Sequence, residues 1–125
     1  MSTDSTPKPP AGTRAGGRRL WTSVVKDYDL EEHELALLTE AVRTVDLLDE
    51  LDAAVRRDGP LVESPQGTKA HPAAVEARQQ RIALARLLAA LRMPTGAEDE
   101  RPADSLTRPQ RRSGVRGTYR LGVVK

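Results

Sequence analysis

The chain has 125 residues, 38% of them hydrophobic and 30% charged, with a net charge of +2; this suits one small helical domain and excludes a large multidomain enzyme. Cysteine is absent, which removes disulfides, thiolate metal sites and cysteine nucleophiles together. No apolar run approaches the roughly 20 residues of a membrane helix, and the polar start from Met1 to Pro10 lacks the apolar stretch of a secretory signal, so the expectation is a cytoplasmic protein with no membrane partner.

Residues 1–17 are rich in Ser, Thr, Pro, Ala and Gly, a composition that buries too little apolar surface to offset the entropy of ordering. They read as a disordered basic arm. From Arg18 the pattern turns helical: Leu20, Trp21, Val24, Val25 and Tyr28 fall on one face of a first helix. Asp29 then offers a side-chain acceptor and Glu32 stands three residues on, a capping-box pattern that opens a second helix. Its apolar stripe runs Leu35, Leu38, Val42, Val45, Leu48, Leu51 and Val55. Arg56 and Arg57 suit its last turn, Gly59 suits a left-handed stop, and Pro60 blocks continuation. From Leu30 to Asp58 this helix spans about 43 Å at ~1.5 Å per residue, which suggests a helical hairpin or a spine between subunits.

Leu61–Glu63 and Thr68–Ala70 flank Ser64-Pro65-Gln66-Gly67, where proline and glycine favour a type I turn and hence a small β-hairpin. Pro72 is placed for the first turn of a third helix, patterned by Val75, Ile82, Leu84, Leu87, Leu88 and Leu91 and stopped near Met93-Pro94. The second and third helices are expected to pack antiparallel. Beyond Pro94 no period survives, and residues 94–125 read as a flexible linker and basic tail. Tyr119, Leu121, Val123 and Val124 give the tail's end an apolar content that a linker does not need, so they are assigned to docking on a partner.

The expected fold class is therefore all-α. Residues 18–93 form a core of three main helices with a small β-hairpin, between disordered basic termini. Leu38, Val42, Val45, Leu48, Leu51, Ile82 and Leu88 are its expected core and oligomerisation residues. With one tryptophan, two tyrosines and no phenylalanine the core is thin, and thin leucine-rich cores are often completed against neighbouring copies. Self-association into a closed homo-oligomer follows as an expectation.

Charge is unevenly laid out: residues 1–19 carry +3, residues 20–93 carry −4, and residues 94–125 carry +3. Basic ends on an acidic body suit a polyanion, whose phosphates release counterions when contacted. The residues assigned to DNA are Lys8, Arg14, Arg18, Arg19, Arg108, Arg111, Arg112 and Arg116. Other motifs have simpler readings. His33-Glu34 begins like a zinc-protease motif, but Leu37 stands where the second histidine belongs, so His33 is a first-turn surface residue. Gly16-Gly17 lacks the spacing and the lysine of a phosphate loop. Asp46, Asp49, Glu50 and Asp52 lie between core positions of a helix and read as a solvated face, not a magnesium site. No catalytic set, cofactor or metal is expected.

Several runs in order carry a resemblance: Leu20-Trp21 through Tyr28-Asp29-Leu30, Glu34-Leu35-Ala36-Leu37-Leu38, Glu40-Ala41-Val42-Arg43-Thr44-Val45-Asp46, the Gly59 break, the Gly67 hairpin, and His71-Pro72-Ala73 opening an Ala/Leu/Arg helix. Over about residues 16 to 95 the chain resembles the small subunit of phage DNA-packaging terminases, in the form found in actinobacterial phages. The resemblance implies a non-enzymatic, mainly helical protein that assembles into a ring in the host cytoplasm. It implies binding of double-stranded viral DNA at the packaging site and its delivery to the terminase large subunit, which holds the ATPase and nuclease. The basic tail after Arg108 departs from the family pattern, which leaves its assignment to DNA or to the large subunit open. Two other readings stand beside this one. A helix-turn-helix transcriptional regulator is disfavoured because Glu31, Glu32 and Glu34 open its recognition helix with the wrong charge for phosphates. A structural head or scaffold protein rests on self-association alone.

Overall fold

A computed structural model describes residues 6–93 and 109–112. In chain order these form α1 (Ala15–Val25), β1 (Tyr28–Asp29), α2 (Glu32–Asp58), β2 (Leu61–Ser64), β3 (Gly67–Ala70), α3 (Pro72–Leu91) and β4 (Gln110–Arg111). The protein is mostly helical, with α2 as the central element on which α1 and α3 both pack.

α2 opens two residues later than its sequence pattern suggests. Glu31 is the N-cap: its side chain accepts from the backbone of Glu34, and Glu34 Oε1 accepts the Glu31 N–H at 2.7 Å. The capping-box chemistry is as expected, but Asp29 is unavailable for it because Tyr28 and Asp29 are extended and pair with Arg111 and Gln110. At its other end α2 stops at Gly59, with φ 87° and ψ 161°, a combination open essentially only to glycine. The two-residue turn Pro65-Gln66 then joins β2 to β3 in the register Leu61↔Ala70 to Ser64↔Gly67. Gly67 takes φ 110°, the freedom that follows such a turn.

α3 starts on Pro72 with His71 as its cap, whose Nδ1 accepts the Ala73 N–H at 2.9 Å. α2 and α3 run antiparallel: Asp58 meets His71 at one end, Asp52 meets Arg81 further along, and Leu38 and Leu91 share a core cluster at the other end. That cluster joins Trp21, Val24 and Val25 of α1 to Leu38 and Val42 of α2 and Leu91 of α3.

Of the expected core residues, Leu38, Val42 and Leu48 are buried, and Val45 and Leu51 are half-buried. Ile82 and Leu88 are exposed instead, at 45% and 36%. The reason is rotational. α3 faces α2 through Ala77, Leu84 and Leu91 at seven-residue spacing, the first and last fully buried. At ~100° per residue Ile82 then points about 140° away, and Leu88 lies about 60° from Leu91 at the edge of the contact.

Parts of both ends lie against the body of the protein. α1 begins at Ala15, inside segment 1–17, with Gly16 and Gly17 buried against α2. Within the supposed linker and tail, Pro109–Arg112 folds back onto β1. Both segments gain what composition does not reveal, a specific polar partner on the helical body.

Candidate nucleic-acid interface

The first two turns of α1 are tied down by an acid from another helix. The Asp46 carboxylate accepts the Arg14 N–H and the Gly17 N–H, each at 2.7 Å. It satisfies free amides at a helix start and places negative charge at the positive end of the dipole. α1 has no capping side chain of its own. The approach is close because Gly16 and Gly17 have no Cβ; one on Gly17 would stand 2.8 Å from the Val42 carbonyl oxygen. On the far side, the indole of Trp21 donates to the Pro7 carbonyl at 3.0 Å, so the proline-bearing start packs over it.

With Trp21, Val24 and Val25 turned inward, helical spacing turns Ala15, Arg18, Arg19, Thr22, Ser23 and Lys26 outward. They line an open trough of about 680 Å³. No acid occurs between Ala15 and Lys26. Arg18 donates to the Thr13 carbonyl at 3.0 Å, while Arg19 and Lys26 form no ion pair among the described residues. From Arg18 to Lys26 the strip covers about 12 Å at ~1.5 Å per residue. Three cations and two hydroxyls over that length can meet several phosphates of a duplex whose charges fall every ~1.7 Å along its axis.

The other basic residues assigned to DNA are placed differently. Lys8 is exposed. Arg14 caps α1 and pairs with Glu50 at 2.6 Å. Arg111 stacks over the Tyr28 ring, 5.1 Å from its centroid, and donates to the Tyr28 hydroxyl at 3.1 Å. Arg112 donates to the Val25 carbonyl and pairs with Asp29. Arg14, Arg111 and Arg112 thus make contacts within the protein, where the acidic body and Tyr28 offer near partners. Arg108, Arg116, Tyr119, Leu121, Val123 and Val124 lie outside the described residues. Sequence reading stopped at Arg19 and missed Thr22, Ser23 and Lys26; the same periodicity, followed from Arg18 by fours, reaches Thr22 and Lys26.

The acids read as a solvated face serve as ties between helices: Asp46 and Glu50 hold the start of α1, and Asp52 pairs with Arg81 of α3 at 2.8 Å. Asp58 accepts from Arg57 and faces His71 Nε2 at 2.9 Å. These two hydrogen bonds, Arg57's the larger effect, hold its carboxyl down to about 2. Since Nδ1 of His71 accepts a backbone N–H, the neutral ring carries its proton on Nε2 and donates it to Asp58. His33 is exposed in the first turn of α2. No metal-holding cluster of acids and histidines occurs among the described residues, and no helix there is long and apolar enough to cross a membrane.

Fold and site together define a small helical-hairpin protein with one short helix presenting a cationic, acid-free face. Comparison with protein-family models, with curated proteins and with solved structures finds no match.

Proposed function

We propose that this chain is the small subunit of a tailed-phage DNA-packaging terminase, a self-associating protein without catalysis of its own. It binds double-stranded viral DNA in the host cytoplasm and brings it to the large subunit. The observation that carries the DNA-binding reading is the outward strip of Arg18, Arg19, Thr22, Ser23 and Lys26 on a helix without acids. The ordered motifs between residues 16 and 95 supply the terminase assignment. Exposed Val75 and Ile82 on α3 and Leu47 on α2 support self-association, since they leave apolar surface that a neighbouring copy can cover. A recognition role for α2 fits poorly, because its start bears Glu31, Glu32 and Glu34 and Glu34 is buried in the cap.

Fluorescence anisotropy with a DNA duplex across a salt series tests the DNA interface. Arg18→Ala, Arg19→Ala and Lys26→Ala combined should weaken binding and reduce the log-log salt slope by about 0.9 for each phosphate that is no longer neutralised. An unchanged affinity and slope would remove α1 as the interface. Sedimentation of the native particle and stimulation of a cognate large subunit's ATPase test the terminase assignment. A monomer without such stimulation would end that assignment while leaving the DNA result standing.

A further inference from the structure

Among the described residues, the hydrogen bonds and strand pairing of Gln110–Arg112 end on residues 25–29. Gln110 and Arg111 pair with Asp29 and Tyr28. The Arg112 N–H donates to the Asp27 carbonyl, and the Arg112 guanidinium reaches the Val25 carbonyl and the Asp29 carboxylate. Arg111 stacks over Tyr28, which is buried at 8% exposure, and Pro109 is buried beside them. The C-terminal end of α1, where carbonyls lack helical partners, an aromatic face and a carboxylate thus converge on two consecutive arginines. Asp27, Asp29, Glu31 and Glu32 make this stretch of the surface acidic, so a cationic strand fits it by charge as well as by backbone pairing.

We infer that the β1 edge is an exchangeable docking site for the Pro109–Arg112 segment of a second copy of this chain. A two-residue strand is marginal on its own, and an exchanged segment makes the same contacts as an internal one, which is why exchange between identical copies has a low cost. Residues 94–108 join the segment to α3. At ~3.3 Å per residue they reach up to about 50 Å, longer than the ~40 Å of α2. A neighbouring β1 therefore lies within range. In a dilute solution the tether presents the chain's own segment at an effective concentration on the order of millimolar, and the site closes on itself. Where copies are held side by side, the neighbour's segment arrives at comparable concentration and the tails link the copies.

Two full-length variants separate exchange from self-closure. The first, Arg111→Ser with Arg112→Ser, keeps the site and removes the segment's cations. The second, Asp29→Lys, keeps the segment and repels it from its own site. Hydrogen–deuterium exchange read on the peptide spanning residues 110–112, which has a different mass in each variant, reports which copy is docked. Wild type should show slowed exchange there, on the order of tenfold for a marginal strand, and each variant alone should show none. Mixing should restore slowed exchange in the Asp29→Lys copy's own peptide, increasing with the amount of the site-bearing partner. The proposal is overturned if that peptide stays unprotected in the mixture, or if Asp29→Lys alone keeps wild-type protection. It is equally overturned if the wild-type segment is never protected. Trp21 fluorescence and helical circular dichroism, unchanged in both variants, verify that the helical body is intact. Because the mixture holds no nucleic acid, the result is independent of the DNA-binding and terminase readings.

Discussion

Gly17→Ala tests the contact that aims the cationic face. The added Cβ would stand 2.8 Å from the Val42 carbonyl oxygen and 2.8 Å from Asp46 Oδ2, whereas ordinary contact needs about 3.4 Å or more. The carbonyl belongs to the backbone of a long helix and cannot swing aside, so α1 must retreat by roughly half an ångström. That retreat stretches the 2.7 Å bond from the Gly17 N–H to Asp46 and loosens Trp21, Val24 and Val25 against Leu38 and Val42. Overpacking of this kind costs about 1–3 kcal/mol, and the better helix propensity of alanine returns about 1 kcal/mol. A net loss of up to about 2 kcal/mol is expected. Gly16→Ala is the matched control: its Cβ would meet Asp49 Oδ2 at 2.5 Å, the movable tip of an exposed side chain, and Val45 Cγ1 at 3.1 Å. There the propensity gain offsets the strain, and stability should stay within about 0.5 kcal/mol of wild type. Urea denaturation followed by the fluorescence of Trp21, the single tryptophan, measures both. If Gly17→Ala were as stable as Gly16→Ala, the close approach of α1 to the Val42 carbonyl would be refuted.

Asp46→Ala removes the acceptor shared by the Arg14 and Gly17 amides and should cost about 1–2 kcal/mol, as loss of a strong N-cap does, with weaker DNA binding through misplacement of Arg18 and Arg19. Leu91→Ala, at a position 1% exposed in the core cluster, should cost about 2–5 kcal/mol in the same denaturation assay, against under about 1 kcal/mol for Ile82→Ala on the open face. His71→Ala removes the α3 cap and should cost about 1 kcal/mol; NMR titration should also show the Asp58 carboxyl rising from about 2 toward its ordinary value, only part of the way because Arg57 remains. Because that carboxyl is depressed in the folded state, its contribution to stability is present above the ordinary carboxylate range and is lost as pH falls toward 2. A smaller acid-induced loss in Asp58→Asn than in wild type is therefore expected.

The apolar steps of three and four, the Gly59 stop, the Pro65–Gly67 turn and Pro72 are local signals, and local signals are legible because backbone sterics and helical period act within a few residues. They established from the sequence alone the three helices, the hairpin between α2 and α3, and Leu38, Val42 and Leu48 as buried. Rotation about a helix axis is another matter. Ile82 and Leu84 are both apolar and differ by two residues, and only docking on α2 through Ala77 and Leu91 turned the first out and the second in. The fate of each arginine was likewise a tertiary decision. Arg18 and Arg19 kept their outward face, while Arg14 found Glu50, and Arg112 found Asp29 and the end of α1. Partners 36 and 83 residues away leave no mark on the local pattern, since a guanidinium is equally suited to a phosphate and to a carboxylate. Composition marked both ends of the chain as poor in apolar surface to bury. What placed residues 6–17 and 109–112 on the protein was hydrogen bonding to Asp46, to the Pro7 carbonyl and to the β1 edge, a term that apolar area does not measure.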